Sequence, residues 1–237
     1  MILTTRDRPS LLRVALACYQ HQTYGQRELI VVDDGEQFPV DAACLDAMGG
    51  RLVRVPAGTP LGTKLNCGVE AARGVLCQKM DDDDWYAPEF LWSMVTALMK
   101  SRQEVCFPAF AFMMPFLFFD LARWEIRKSV PKNVPGATLL FFREEWRHCR
   151  FRNVRFDEDT WFVADSLRNG LKPISVDCLE SFLAVRHGSG ARGERGHTWV
   201  RQWDGRKLES YLQDRPLYRT PEELLPAWVL PIYRELA

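Results

Sequence analysis

Long hydrophobic runs are missing from this sequence. Its most apolar stretch, Val105 to Phe119, is fifteen residues long and contains Pro108 and Pro115. That is short of the ~20 residues a membrane-spanning helix needs, and two prolines would break it. The stretch therefore reads as buried strand and loop; no transmembrane segment is expected, and peripheral membrane contact is the one membrane role left open. A secretory leader is not expected either, because Arg6, Asp7 and Arg8 interrupt any apolar N-terminal region. Paired cysteine spacing is also absent. The seven cysteines, at positions 18, 44, 67, 77, 106, 149 and 178, are odd in number and include no CxxC. This argues against a disulfide framework or a zinc finger and for free thiols in a reducing, cytoplasmic setting. Charge of one sign is lacking too: 31 Lys and Arg balance 31 Asp and Glu, so no global field steers the chain towards nucleic acid or membrane. Neither internal repeats nor low-complexity tracts occur. What remains is ordinary globular composition, 47% hydrophobic and 26% charged over 237 residues, enough for one α/β domain or two small ones.

Strand and helix patterns alternate through the first hundred residues. Met1 to Thr4 reads as a strand, and Arg8-Pro9-Ser10 opens a helix to about Gln20 with Leu11, Leu12, Ala15, Leu16 and Tyr19 facing inward. Arg27 to Val32 is a second strand ending in Asp33-Asp34-Gly35, and Val40 to Met48 has helical spacing. Arg51 to Val55 forms a third strand, Thr63 to Arg73 a helix, and Val75 to Met80 a fourth strand; Pro88 then opens a helix with Phe90, Leu91, Met94, Val95 and Leu98 on one face. Such alternation with short connections predicts a mostly parallel central sheet with helices on both faces, in a single continuous α/β domain. Beyond Lys100 the pattern loosens. Val105 to Phe119, Ala137 to Phe142, Lys172 to Asp177 and Ser181 to Val185 are strand candidates, and Glu144 to His148 and Thr160 to Arg168 are helical. Gly188 to Gly196, with four glycines, reads as a lid or flexible edge, and Leu208 to Ala237 as a helical tail broken by prolines. Residues 1–100 thus make one half, 101–200 a second half, and 201–237 the tail.

The chain is organised around Asp81-Asp82-Asp83-Asp84. Four adjacent carboxylates repel one another unless water or a cation compensates. Their oxygens are hard ligands that suit magnesium, manganese or calcium, not zinc. In parallel sheets ligands bind outside the carboxyl ends of the strands. That rule sets Thr4 and Thr5, Asp33 and Asp34, and the acidic run along one edge. A solvated acidic turn is the plain alternative, and the convergence of three polar clusters weighs against it.

Five pieces, in order, resemble the family 2 glycosyltransferases of the GT-A (Rossmann-like) fold. They are Thr4-Thr5-Arg6-Asp7-Arg8-Pro9 with Leu12; Gln22-Thr23-Tyr24 followed by Glu28 to Gly35; Leu65-Asn66-Cys67-Gly68 with Ala72 and Gly74; Met80 to Tyr86 with Pro88; and Phe156-Asp157-Glu158-Asp159. Together they cover residues 1 to about 170. The resemblance implies transfer of a sugar from a nucleoside-diphosphate sugar, most often a UDP-sugar, to an acceptor hydroxyl. It implies Mn2+ or Mg2+ as cofactor and an inverting, single-displacement reaction. Asp34 would then accept a hydrogen bond from the base, Thr4 and Thr5 would line the base and ribose pocket with Arg6 and Asn66 beside them, and Lys64 would reach the diphosphate. Asp81 and Asp83 form the DXD motif, with Asp83 the leading metal ligand; Asp82, where the family has a small residue, or Asp84 would touch the ribose or the metal's water shell, and a one-residue shift of register within the four acids would exchange these roles. Asp159, paired with Glu158, resembles the general base. A late histidine, His197, would complete the metal shell, with a plain exposed histidine as the alternative, and Trp85, Trp161 and Trp199 could stack on sugar faces or simply pack.

Two other functions fit parts of the pattern. A nucleotidyltransferase acting on sugar phosphates shares the sheet and the metal, but the segment after Thr4 lacks the glycines of its phosphate loop. A non-catalytic sugar-nucleotide binding module would not need Glu158-Asp159. The acceptor is left open: a glycan, a lipid-linked acceptor suited to the apolar 105–119 stretch, or a polyanion suited to Arg147, Arg150, Arg152 and Arg155. There is no strong nucleic-acid signal.

Overall fold

A computed structural model describes residues 1–104, 107–129, 135–187 and 216–237. The alternation becomes β1 (Ile2–Thr5), α1 (Pro9–His21), β2 (Leu29–Asp33), α2 (Ala42–Asp46), β3 (Gly50–Arg54), α3 (Leu61–Ala71), β4 (Leu76–Asp81), β5 (Trp85–Tyr86) and α4 (Phe90–Glu104). The remaining elements are β6 (Phe110–Met113), β7 (Phe116–Asp120), β8 (Glu125–Ser129), β9 (Leu140–Phe142), α5 (Arg143–His148), α6 (Glu158–Arg168), β10 (Pro173–Val176), β11 (Phe182–Arg186), α7 (Pro221–Leu224) and α8 (Leu230–Leu236).

Seven strands form the central sheet in the order β10-β6-β9-β4-β1-β2-β3. β1 to β4 are mutually parallel, as are β6 and β10, whereas β9 runs antiparallel to both β4 and β6. Successive side chains on a strand point to opposite faces, and the core divides accordingly. Leu3, Leu29, Val31 and Met80 face α1 and α4 through Leu11, Val14, Phe90 and Met94. Ile2, Ile30, Val32 and Cys77 face α3 and α6 through Leu65, Val69 and Phe162. Each fully buried aliphatic or aromatic side chain contributes about 1.5–3 kcal/mol. On the second face the helices come close: a Cβ added to Gly68 would stand 2.4 Å from Ile2 Cγ2, and one on Gly62 would stand 1.9 Å from the Arg152 carbonyl oxygen.

A second, four-stranded sheet, β5-β11-β7-β8, was not expected from the alternation. Its β5 begins directly after the acidic run and pairs antiparallel with β11. The run is thus strapped between β4 of one sheet and β5 of the other, which is what fixes so much like charge in one place. The apolar 105–119 stretch resolves into β6 and β7 within the described residues, and no described helix is long and apolar enough to cross a membrane. The tail's described part forms α7, opened by a Thr220/Glu223 capping box with Pro221 in its first turn, and α8, whose Tyr233 and Leu236 are buried.

Candidate active site

The carboxyl ends of β1, β2 and β4 lie side by side: Thr5 is in register with Asp33, and Thr4 with Asp81. The three polar clusters therefore share one edge. Asp34 is 1% exposed. Its Oδ1 accepts from Lys64 Nζ at 2.7 Å, its Oδ2 accepts from the Gly58 N–H at 3.0 Å, and Arg6 Nη1 stands 3.7 Å from Oδ2. A carboxylate offers about four acceptor positions, so Asp34 retains capacity for a further donor. Lys64, on α3, is buried and also approaches the Thr5 carbonyl at 3.4 Å. Thr4 is buried in β1. Neighbouring Asp33 holds the loop after β2, accepting from the N–H groups of Gly35 and Val40 and from Arg54.

Asp82, Asp83 and Asp84 are each buried, so the run is not a solvated turn. Asp82 accepts from the Thr5 hydroxyl at 2.7 Å and from Arg8 at 2.7 Å. Arg8 also reaches Asp83 at 3.3 Å, and His187 Nε2 lies 3.2 Å from the same Asp83 oxygen. Asp84 accepts from the Val185 N–H at 2.8 Å and has Arg186 at 4.0 Å. Burial pushes the Asp82 carboxyl up, with Arg8 opposing, and burial together with Asp83 and Asp81 holds the Asp84 carboxyl well above its ordinary range. Asp81 differs from the other three: its side chain is 30% exposed and bonds Lys79 Nζ at 2.6 Å. The Asp81 N–H donates to the Tyr86 hydroxyl at 2.9 Å, which itself donates to the Ala137 carbonyl at 3.1 Å, closing the turn.

The first turn of α6 faces this edge from the other half of the chain. Asp159 packs against Gly136, where an added Cβ would stand 1.9 Å from its Oδ2. Glu158 is buried, with Lys79 Nζ at 3.5 Å from Oε1. Burial, despite Lys79, lifts the Glu158 carboxyl to about 7. Lys79 is itself buried, and although burial works against its charge, Asp81, Glu158 and Asp159 hold its pKa above the ordinary value.

Asn66 stands apart from the other residues singled out by sequence. Its carboxamide donates to the Phe151 carbonyl at 2.8 Å and accepts from the Trp146 indole at 3.0 Å and the Phe151 N–H at 3.1 Å. Those bonds tie α3 to α5 and to the segment that follows it. His197, Trp199 and the 188–196 loop lie outside the described residues. Trp85 is core, and Trp161 is capped by the Arg152 guanidinium at 3.9 Å from its centroid. Sequence reasoning assigned no site role to Arg8, Lys79, Tyr86 or Arg186. Two signals were present: Lys79 precedes Asp81 by two on a strand and so shares its face, and Arg8 occupies an N-cap position where Ser, Thr or Asp is usual.

The sheet order gives a mixed α/β fold of the GT-A class, with its acidic edge facing a second pair of acids. The profile of Glycosyl transferase family 2 matches residues 1–142, and the chain belongs to that family. The putative glycosyltransferase EpsH of Bacillus subtilis (strain 168) is 28% identical over 110 residues, covering 45% of this chain and 32% of EpsH. The chain thus spans about a third of that relative. Among solved structures, S. aureus TarS 1-349 in complex with UDP-GlcNAc aligns with a TM-score of 0.61 at 13% identity, over 78% of this chain and 57% of that one. Mannosyltransferase PcManGT from Pyrobaculum calidifontis, in complex with GDP-Man and Mn2+, aligns with a TM-score of 0.60 at 16% identity, over 99% of this chain and 67% of that one. At these identities the likeness establishes the fold.

Proposed function

We propose that the chain transfers a sugar from a nucleoside-diphosphate sugar, with uridine the favoured base, to an acceptor hydroxyl with inversion. The observation that carries this is the meeting, at one edge, of Asp34, the buried Asp82 to Asp84 run and the Glu158-Asp159 pair. Asp34 accepts from the base and Lys64 holds it in place. Thr4, Thr5 and Arg6 line the same pocket.

No group of three or more His, Cys, Asp or Glu side chains is gathered as a metal centre among the described residues. The donor chemistry nevertheless fits a hard divalent ion. Asp83 and His187, 3.2 Å apart, and the partly exposed Asp81 offer the oxygens and imidazole nitrogen that Mn2+ or Mg2+ accepts. When bound, such an ion neutralises charge on the departing diphosphate. Arg8 keeps Asp82 and Asp83 in position, and Asp159 takes the acceptor's proton as the acceptor oxygen bonds to the anomeric carbon and the bond from that carbon to the diphosphate oxygen breaks.

Calorimetric titration with the diphosphates of uridine, guanosine, cytidine and thymidine, with and without Mn2+, tests this. Metal-dependent binding of one nucleotide is expected, weakened at least about tenfold in Asp83→Asn. Absence of metal-dependent binding to all four overturns it.

A further inference from the structure

Lys79 is a charged residue built into the middle of a strand, and its surroundings join the two halves of the site. Its backbone N–H donates to the Leu139 carbonyl at 2.8 Å, holding β4 to the 136–139 turn. That turn carries Gly136, against which Asp159 packs. The Lys79 ammonium then reaches Asp81 at 2.6 Å and Glu158 at 3.5 Å while only 3% exposed. Glu158 is wedged from the other side, its Cβ 3.6 Å from where a Cβ on Gly62 would stand. The contacts form a closed circuit: Lys79 to Leu139 and Gly136, on to Asp159, back through Glu158 to Lys79. Without the ammonium, the buried Glu158 would lose its counter-charge beside the partly exposed Asp81, and α6 would be repelled from β4.

We propose that Lys79 is a positioning residue that fixes the separation between the donor end of the site, through Asp81, and the base-bearing turn of α6, through Glu158. This rests on the transfer function proposed above. The ammonium touches neither base nor acceptor; it sets where Asp159 stands relative to the anomeric carbon. A misplaced base loses rate without losing donor affinity.

The test uses the full chain, with UDP and Mn2+ as the binding probe and slow hydrolysis of UDP-N-acetylglucosamine as the chemical probe. In hydrolysis the anomeric carbon–diphosphate bond breaks, water supplies the new oxygen and Asp159 takes its proton. Lys79→Met should lower kcat at least about 30-fold while KM and the UDP dissociation constant stay within about threefold. Lys79→Met and Glu158→Gln should be strongly non-additive in melting temperature at one fixed pH, Glu158→Gln raising it by clearly more in the Lys79→Met background than in the wild-type protein. Turnover retained within threefold in Lys79→Met overturns the proposal, as does joint loss of UDP binding and turnover, which would make Lys79 a donor ligand. Additive melting shifts overturn it as well, and they do so independently of nucleotide. Failure of the wild-type protein to bind any of the four diphosphates would instead bring down the transfer reading, with the melting-temperature cycle still deciding whether Lys79 ties Glu158.

Discussion

Arg8 stands between Asp82 and Asp83 with its side chain 15% exposed, and burial there is outweighed by the two carboxylates, so its pKa lies above the ordinary value. Removing one partner of a buried pair leaves the other charge uncompensated. Arg8→Leu should therefore cost about 3 kcal/mol in urea unfolding, and adding Asp82→Asn should return part of it. A loss under about 1 kcal/mol would show that these acids are compensated elsewhere. Glu158 behaves in the opposite sense. Its folded carboxyl titrates at about 7, above its ordinary value of 4.5, so the folded state favours the protonated form. The resulting stabilisation is complete below about pH 4.5 and is lost as pH rises through about 7, amounting to roughly 3 kcal/mol across that window. Glu158→Gln, which cannot ionise, should match the wild-type protein near pH 4.5 and exceed it by pH 8. Parallel stability profiles for the two proteins would contradict this.

Among the elements, α6 depends on close approaches at two glycines. A methyl group at Gly136 would occupy the space of the Asp159 carboxylate. Gly136→Ala should therefore lower turnover at least about tenfold through a displaced base, with nucleotide affinity preserved. At Gly62 the obstacle is the Arg152 backbone carbonyl, which cannot rotate away. Gly62→Ala should cost about 1–3 kcal/mol by forcing the 149–157 segment off α3, read as a lower urea midpoint with unchanged slope. The elements around these contacts were largely legible in sequence, because β1, β2 and β4 are buried on both faces and the helices between the strands carry one apolar stripe. The extents shifted only slightly: the expected Thr63 to Arg73 helix is Leu61–Ala71, and the Val75 to Met80 strand is Leu76–Asp81. Strand direction was not legible, since β9 is as apolar as its parallel neighbours and only pairing reveals that it runs antiparallel. Nor was β8 visible: Glu125, Arg127 and Lys128 give Glu125–Ser129 the composition of a loop, and its strand character comes from pairing with β7.

For the whole molecule, placing the acidic run between two sheets concentrates negative charge in a buried cleft, offset by Arg8, Lys79 and Arg186. The run itself was plain in the sequence. Two of its counter-charges were not, because Arg8 lies 74 residues before Asp82 and Arg186 is more remote still in sequence from Asp84, so both meet the run only after folding. Such a cleft is stabilised by whatever neutralises it in the folded state alone. At a hundred times its dissociation constant, a ligand specific for the folded state adds about 2.7 kcal/mol. For a chain of this length each kcal/mol raises the melting temperature by about 2–4 °C. UDP with Mn2+ should therefore raise the melting temperature by roughly 5–10 °C at saturation. Chelation of the metal should remove most of that gain, and Asp83→Asn should show little of it. A shift produced by UDP alone, and unchanged by chelator, would mean that the nucleotide binds through Asp34 and Lys64 without the acidic run, and would detach the metal from the donor site.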